Sequence, residues 1–225
     1  MEKVSARIAA LEESQTLAMT QKARELAAQG IDVISLSVGE PDFNTPDHIK
    51  AAAKKAIDDN YSFYTPVPGY KDLLEAIVGK LKRENGLTYA PDQIVVSAGA
   101  KHSLSNVLMC LVDKDDEVIV PAPYWVSYTE LVKLAEGRNV IIETDLSSDF
   151  KITPQQLQAA ITPKTRVLML CSPSNPTGSV YTRDELRALA DVLVKHPNII
   201  VLADEIYEHI NRCASPSWHS LSTHR

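Results

Sequence analysis

The chain has 225 residues, of which 44% are hydrophobic, and its 29 acidic and 23 basic side chains give a formal net charge of -6 at pH 7. This length and apolar content exclude a disordered chain, and the acidic balance disfavours binding to a nucleic-acid backbone. Apolar runs stay shorter than the roughly 18 residues of a membrane span, and the three cysteines form no CxxC pattern. We therefore expect a cytoplasmic protein that acts on small molecules.

The first part of the chain predicts helices separated by turns. Residues 5–29 carry apolar side chains at near-helical intervals, which indicates one helix or two short ones. A short strand is expected over 33–36. Thr45 as N-cap and Pro46 at the first helical position predict the start of the next helix, and a further helix is expected over 70–85.

From there the pattern becomes a regular alternation of strands and helices. Strands are predicted at 93–97, 117–120, 139–143, 166–171 and 199–203, and helices at 100–112, 124–135, 153–161 and 182–196. Thr182 and Glu185 form a capping box for the last helix. Strands separated by helix-length segments favour an α/β fold with a mostly parallel sheet covered by helices on both faces.

The turn Ser97-Ala98-Gly99-Ala100-Lys101 leaves one predicted strand and opens a helix. In open α/β sheets, ligands bind beyond the carboxyl ends of the strands. The backbone amides of Gly99, Ala100 and Lys101 could therefore hold an anion, with the helix dipole behind them. A plain tight turn of small residues is the alternative.

Two further polar groups follow predicted strands. Asn175 stands between two prolines in a loop that Gly178 closes, which presents its amide on a stiff backbone, although turn chemistry alone explains an asparagine there. The Asp204-Glu205 pair follows an apolar strand and precedes Tyr207. A carboxylate in such a place needs a cationic or hydrogen-bonded partner, which indicates a site rather than only a helix cap.

Six motifs in one order give the chain a resemblance to a known family. They are GEPDF at 39–43, YTPVPG at 64–69, SAGAK at 97–101, PYW at 123–125, SPSNPTG at 172–178 and DEIYE at 204–208. Together they resemble the class I/II aminotransferases, the fold-type I pyridoxal-phosphate enzymes, and within them the aspartate/prephenate branch. The resemblance implies an incomplete large domain of a fold-type I PLP-dependent transferase, an enzyme that works as a homodimer.

The resemblance also implies how the cofactor, pyridoxal 5'-phosphate, is held. Gly99, Ala100 and Lys101 would bind its phosphate through their backbone. Trp125 would stack on the pyridine ring, with ordinary core packing as the alternative. Asp204 would pair with the ring nitrogen and keep it protonated, so that the ring acts as an electron sink. Asn175 and Tyr207 would bond the ring's 3-oxygen.

Substrate recognition follows from the same resemblance. Gly39 would line the substrate pocket, as would Trp125 and Asn175, and Tyr64 would reach across a dimer interface to the phosphate of the neighbouring site. Ser14, Thr16 and Lys101 match positions associated with a distal substrate carboxylate, which favours transamination of aspartate with 2-oxoglutarate as acceptor. Polar helix surface is the alternative reading of Ser14 and Thr16.

The family's Schiff-base lysine has no counterpart in this sequence. Lys101, Lys164 and Lys195 stand in other motif contexts, so we expect no catalytic residue in this chain and no activity of the chain alone. One alternative is a non-catalytic chain that binds the cofactor or a full-length partner subunit. A plain nucleotide-binding α/β protein is disfavoured, because neither a GxGxxG nor a P-loop pattern is present.

The expected domains are an N-terminal arm with part of the small domain over 1–45, a partial large PLP-binding domain over 46–211, and a tail outside the family over 212–225. The tail lacks periodicity and is rich in serine and histidine. It fits either a mobile terminus or out-of-frame or alternatively spliced sequence.

Overall fold

The structure, a computed structural model, describes residues 4–12, 15–36, 39–41 and 43–210. The chain forms two compact units, the first made of Met1–Glu12 with Lys71–Arg225 and the second of Glu13–Tyr70. The predicted domain boundaries at 45 and 211 stay predictions, and the predicted tail lies outside the described residues. Within the described part of the chain, no helix combines the length and the apolar character needed to cross a membrane.

Eight helices and four strands are defined among the described residues. The helices are α1 (Ala6–Ala9), α2 (Gln15–Ala28), α3 (Asp47–Asp58), α4 (Lys71–Asn85), α5 (Ala100–Leu111), α6 (Ser127–Leu134), α7 (Pro154–Ala160) and α8 (Arg183–Leu193). The strands are β1 (Glu117–Pro121), β2 (Arg138–Ile142), β3 (Thr165–Cys171) and β4 (Ile200–Asp204). The predicted helices are thus confirmed, with the first one divided into α1 and α2.

The first unit is built on a four-stranded sheet in the order β2-β1-β3-β4, in which every neighbouring pair is parallel. Helices α6, α7 and α8 connect successive strands, as a parallel sheet requires. The predicted α/β architecture with a mostly parallel sheet is confirmed. The predicted strand at 93–97 is wrong: Ile94 has extended backbone angles (φ -114°, ψ 134°), but no described strand pairs with this segment.

Two apolar clusters bury the two faces of the sheet. Because successive strand residues point to opposite faces, Ile119 and Leu168 pack with α7 and α8, whereas Val118 and Val167 pack with α5 and α6. All four side chains are fully buried. Strands buried on both faces explain why β1 and β3 read as continuous apolar runs.

The starts of α7 and α8 are fixed by capping boxes. Thr182 accepts a hydrogen bond from the backbone N–H of Glu185, whose side chain in turn accepts from the N–H of Thr182. Thr153 and Gln156 make the same reciprocal pair at α7. The predicted capping box of α8 is confirmed, and each box satisfies backbone donors that the first helical turn leaves free.

The second unit holds α2 and α3 joined by extended segments, and none of its described residues is buried. The predicted strand at 33–36 is wrong, since these residues join no described ladder. The N-cap of α3 is Pro46 rather than the predicted Thr45, because Pro46 itself has non-helical angles (φ -53°, ψ 142°). The helix therefore begins one residue later than the sequence suggested.

Candidate active site

The site lies at the carboxyl ends of β3 and β4. Cys171, the last residue of β3, is paired in register with Asp204, the last residue of β4. The loop that carries Asn175 follows β3, and Tyr207 follows β4 within a few residues. The parallel pairing of two strands thus brings the SPSNPTG and DEIYE motifs to one edge of the sheet.

Asp204 is held by hydrogen bonds to both carboxylate oxygens. The hydroxyl of Tyr128 donates to Oδ2 at 2.7 Å, and the backbone N–H of Ile206 donates to Oδ1 at 3.3 Å. Tyr128 is 3% exposed. Burial, reinforced by the neighbouring Cys171 and Asp204, raises the pKa of Tyr128 far above its usual range, so the phenol remains a neutral donor at physiological pH.

Trp125 lies just before α6, three residues ahead of Tyr128, and contacts both Tyr128 and Lys101. Its ring meets the Tyr128 ring edge to face, with centroids 5.6 Å apart and an interplanar angle of 88°. The ammonium of Lys101 lies 4.8 Å from the Trp125 ring centroid, within cation–π range. The structure therefore joins Lys101, Trp125, Tyr128 and Asp204 in one continuous series of contacts.

Asn175 and Tyr207 form a second pair. The side-chain amide of Asn175 donates to the Tyr207 hydroxyl at 3.0 Å. The Asn175 loop is closed by backbone hydrogen bonds between Ser174 and both Gly178 and Ser179, each 2.9 Å long. Gly178 has φ +73°, a backbone conformation that residues other than glycine adopt only at a cost in energy, which explains the glycine at this position.

The first turn of α5 offers backbone donors. Gly99 is its N-cap with φ +90°, and its own N–H donates to the carbonyl of Ser97 at 2.8 Å. The amides of Ala100 and Lys101 come next and have no carbonyl one turn back to bond. Of the three predicted phosphate-binding amides, these two are the donors that the helix leaves available to an anion.

One cavity joins the start of α5 to the end of β4. It has a volume of about 250 Å³ and is lined by Ala100 and Ser103 on one side and by Asp204 and Glu205 on the other. An anion-binding helix end and a carboxylate therefore face the same space. A ligand with an anionic group at one end and a basic nitrogen at the other would suit this cavity, because the first would meet the helix end and the second the carboxylate.

Two residues that the sequence did not single out belong to the site. Tyr128 binds Asp204, and Cys171 adjoins Tyr128 while its thiol donates to the carbonyl of Pro173 at 3.3 Å. Burial raises the pKa of Cys171, so this thiol stays protonated near neutrality. The sequence offered one signal for Tyr128, namely its position one helical turn after Trp125.

The segment after Tyr207 is fastened to α4 by charge. Glu208 accepts from the ammonium of Lys80 and from the amide of Asn85, the latter at 3.1 Å. Partial burial alone would raise the carboxyl pKa, but the hydrogen bonds from Lys80 and Asn85 outweigh it and lower the pKa of Glu208. This contact fixes the backbone directly beyond Tyr207.

The remaining predicted residues belong to the second unit. Thr16 is the second residue of α2, where its carbonyl accepts from the Thr20 hydroxyl at 2.8 Å, whereas Gly39 and Tyr64 are exposed within that unit. Their predicted roles stay predictions, and Ser14 lies outside the described residues.

Taken together, these features define a class: an α/β protein whose doubly covered parallel sheet carries a small-molecule site at its carboxyl edge. The chain belongs to the aminotransferase class I and II family, whose family model matches residues 31–222. The predicted family and fold class are thereby confirmed.

Individual relatives agree with this assignment. The aspartate/prephenate aminotransferase of Cereibacter sphaeroides is 53% identical over 203 residues, which cover 90% of this chain and 51% of the relative. The aspartate aminotransferase of Bacillus subtilis is 49% identical over 208 residues, covering 92% and 53%. The chain thus spans about half the length of these relatives.

Solved structures show the same likeness in three dimensions. The aspartate aminotransferase from Rhizobium meliloti superimposes with a TM-score of 0.94 at 42% identity, covering 99% of this chain and 56% of that one. The Thermus thermophilus aspartate aminotransferase with maleate gives the same TM-score and identity, with 99% and 58% covered.

Proposed function

We propose that this chain supplies the cofactor-binding part of a pyridoxal-phosphate-dependent aminotransferase that acts on aspartate, with 2-oxoglutarate as acceptor. The observation that carries the proposal is the Asp204 carboxylate, held by Tyr128 in a cavity that it shares with the first turn of α5. The names of the relatives, aspartate and aspartate/prephenate aminotransferases, support the substrate class.

The residues present fit pyridoxal 5'-phosphate. The phosphate is assigned to the amides of Ala100 and Lys101, where a bound anion also gains from the dipole of α5, while Gly99 shapes the turn that frees them. Trp125 offers an aromatic face next to that turn, because the Lys101 ammonium already lies against its ring. Asp204 provides the anionic partner that a protonated ring nitrogen requires.

The side chains of this chain would bind and orient the cofactor. Once bound, the cofactor supplies an electron sink for substrate carbanions. Asp204 would hold the proton on the ring nitrogen. Asn175 donates to Tyr207, and this pair would bond the ring's 3-oxygen. The loop between Ser174 and Ser179 keeps the Asn175 amide in place for that contact.

Substrate selection is assigned to residues that match the family's motifs. Lys101 carries a positive charge beside Trp125 and suits a distal carboxylate, and Thr16 is assigned to the same group. Gly39 is assigned to the pocket wall, where the absence of a side chain leaves room for the substrate. Tyr64, fully exposed in its unit, is assigned to the phosphate of a neighbouring subunit in a homodimer.

Two assays test the proposal. Titration of this chain with pyridoxamine 5'-phosphate measures cofactor binding directly, because this amine form does not condense with surface lysines. The chain extended to the length of its relatives is then assayed for oxaloacetate formation from aspartate and 2-oxoglutarate. Saturable binding and transamination are expected; an extended chain that binds the cofactor but leaves aspartate untouched would refute the substrate assignment.

A further inference from the structure

Tyr128 makes three contacts within the site although it faces the core. Its hydroxyl donates to Asp204, its ring packs edge to face against Trp125, and its backbone N–H donates to the carbonyl of Trp125 at 2.9 Å. We propose that Tyr128 is a positioning residue that sets the Asp204 carboxylate and the Trp125 ring in fixed relation to each other for a planar cofactor. This inference rests on the function proposed above.

The contact with Asp204 fixes one edge of the ring site. An aspartate side chain at a strand end can turn about two bonds, and the other described hydrogen bond to this carboxylate, from Ile206, is long at 3.3 Å. The 2.7 Å bond from Tyr128 is charge-assisted and short, so it selects the rotamer. It engages Oδ2, whereas Oδ1 accepts the longer bond from Ile206.

The contact with Trp125 fixes the aromatic face. Edge-to-face packing at 88° defines the plane of the Trp125 ring, and the backbone bond defines the start of α6. Tyr128 itself cannot shift easily, because it belongs to the buried cluster that includes Leu108 and Val132. A group locked by core packing is what a preorganised binding site needs behind the residues that touch the ligand.

The other groups that face the Tyr128 hydroxyl are consistent with this role. Cys171 neighbours the hydroxyl, and the Cys171 thiol donates at 3.3 Å to the carbonyl of Pro173, which lies in the SPSNPTG segment that carries Asn175. Tyr128 is therefore linked through Cys171 to the Asn175 loop as well. The phenol has a single hydrogen, and the carboxylate at 2.7 Å is the stronger acceptor.

The test is Tyr128→Phe in the 225-residue chain, which keeps the ring and removes the hydroxyl. Each variant is titrated with pyridoxamine 5'-phosphate and with its 1-deaza analogue, in which a C–H replaces the ring nitrogen. The matched control is Tyr181→Phe. Tyr181 is also buried, at 4% exposure, but its hydroxyl accepts from the N–H of Ile152 at 2.9 Å instead of donating to Asp204.

We expect Tyr128→Phe to weaken binding of pyridoxamine 5'-phosphate by about fivefold or more, the worth of one hydrogen bond, and to leave the deaza analogue within about twofold. A structural defect would instead weaken both ligands equally. Tyr181→Phe should preserve the preference for the natural ring. A preference unchanged in Tyr128→Phe, or lost to the same extent in Tyr181→Phe, would overturn the inference.

A second measurement separates this inference from the proposed function. The unfolding equilibrium constants of the wild type, Tyr128→Phe, Asp204→Asn and the double variant form a double-mutant cycle, which needs no ligand. We expect the effect of Tyr128→Phe on the unfolding constant to differ by about threefold or more between the chain with Asp204 and the chain with Asn at that position. If the wild-type chain binds no pyridoxamine 5'-phosphate, the proposed function fails, and the positioning of Asp204 by Tyr128 is decided by the cycle alone, with additive effects overturning it.

Discussion

Replacing Asp204 by Asn tests the proposed partner of the ring nitrogen. The change is isosteric and removes one negative charge. Asn retains one carbonyl oxygen, which can still accept from Tyr128, while its NH₂ would then face the exposed Ile206 amide, which water can satisfy. We expect the free energy of unfolding to fall by about 1 kcal/mol. Loss of the charge-assisted bond, worth about 1.5–3 kcal/mol, should weaken pyridoxamine 5'-phosphate binding by about 10- to 150-fold.

Equilibrium dialysis against pyridoxamine 5'-phosphate measures the affinity, and urea unfolding checks that the variant is folded. The control is Asp191→Asn on the exposed surface of α8, which makes the same change in net charge away from the site. Its affinity should stay within about twofold of the wild type, because exposed charges at a distance are screened by salt. An Asp204→Asn chain that is folded and binds as tightly as the control would refute the assignment of Asp204 to the ring nitrogen.

Three further predictions concern the aromatic face, the α4 contact and the core. Trp125→Ala should weaken pyridoxamine 5'-phosphate binding about tenfold in dialysis, whereas Trp125→Phe should recover most of the loss, since a flat ring remains. Glu208→Gln should lower the free energy of unfolding by up to about 1 kcal/mol at pH 7. Because the folded-state pKa of Glu208 is lowered, urea titrations should show the full difference above about pH 4.5, the unfolded-state value, and a decline to zero as the pH falls through the lower folded-state pKa. Leu168→Ala should lower the free energy of unfolding by about 2–5 kcal/mol in the same assay, whereas Leu146→Ala, at a position that is 78% exposed, should lower it by less than about 0.5 kcal/mol. Equal losses would contradict the two-cluster core.

The parallel sheet could be predicted because its pattern is local. β1, β3 and β4 are apolar runs bounded by turns, and the helices between them have apolar periodicity and recognisable caps. The strands expected at 33–36 and 93–97 failed for a physical reason. Their sequences favour extended backbone, and Ile94 is indeed extended, but a strand also needs a hydrogen-bonded neighbour, which a single segment of sequence cannot specify.

Some residues of the candidate site could be recognised from their neighbours in the sequence, whereas others could be recognised only from contacts made in the folded chain. Asn175 and Tyr207 were singled out because polar residues after apolar strands stand out along the chain, and their shared role came from the family resemblance. Tyr128 was missed, since a tyrosine on an amphipathic helix reads as core, and core is where most of its surface lies. Its contact with Asp204 spans 76 positions in sequence. Only the parallel order β2-β1-β3-β4 and the packing of α6 on that sheet bring the two together.

The packing of the first unit also explains why the cofactor site can be rigid. Two of the proposed ring contacts arise from elements anchored in the core: Asp204 ends a strand, and Trp125 is held by the buried Tyr128. The second unit buries none of its described residues, and it contributes Thr16, Gly39 and Tyr64, which are assigned to substrate and to a neighbouring subunit. Affinity for the cofactor should therefore depend on the packing of the first unit.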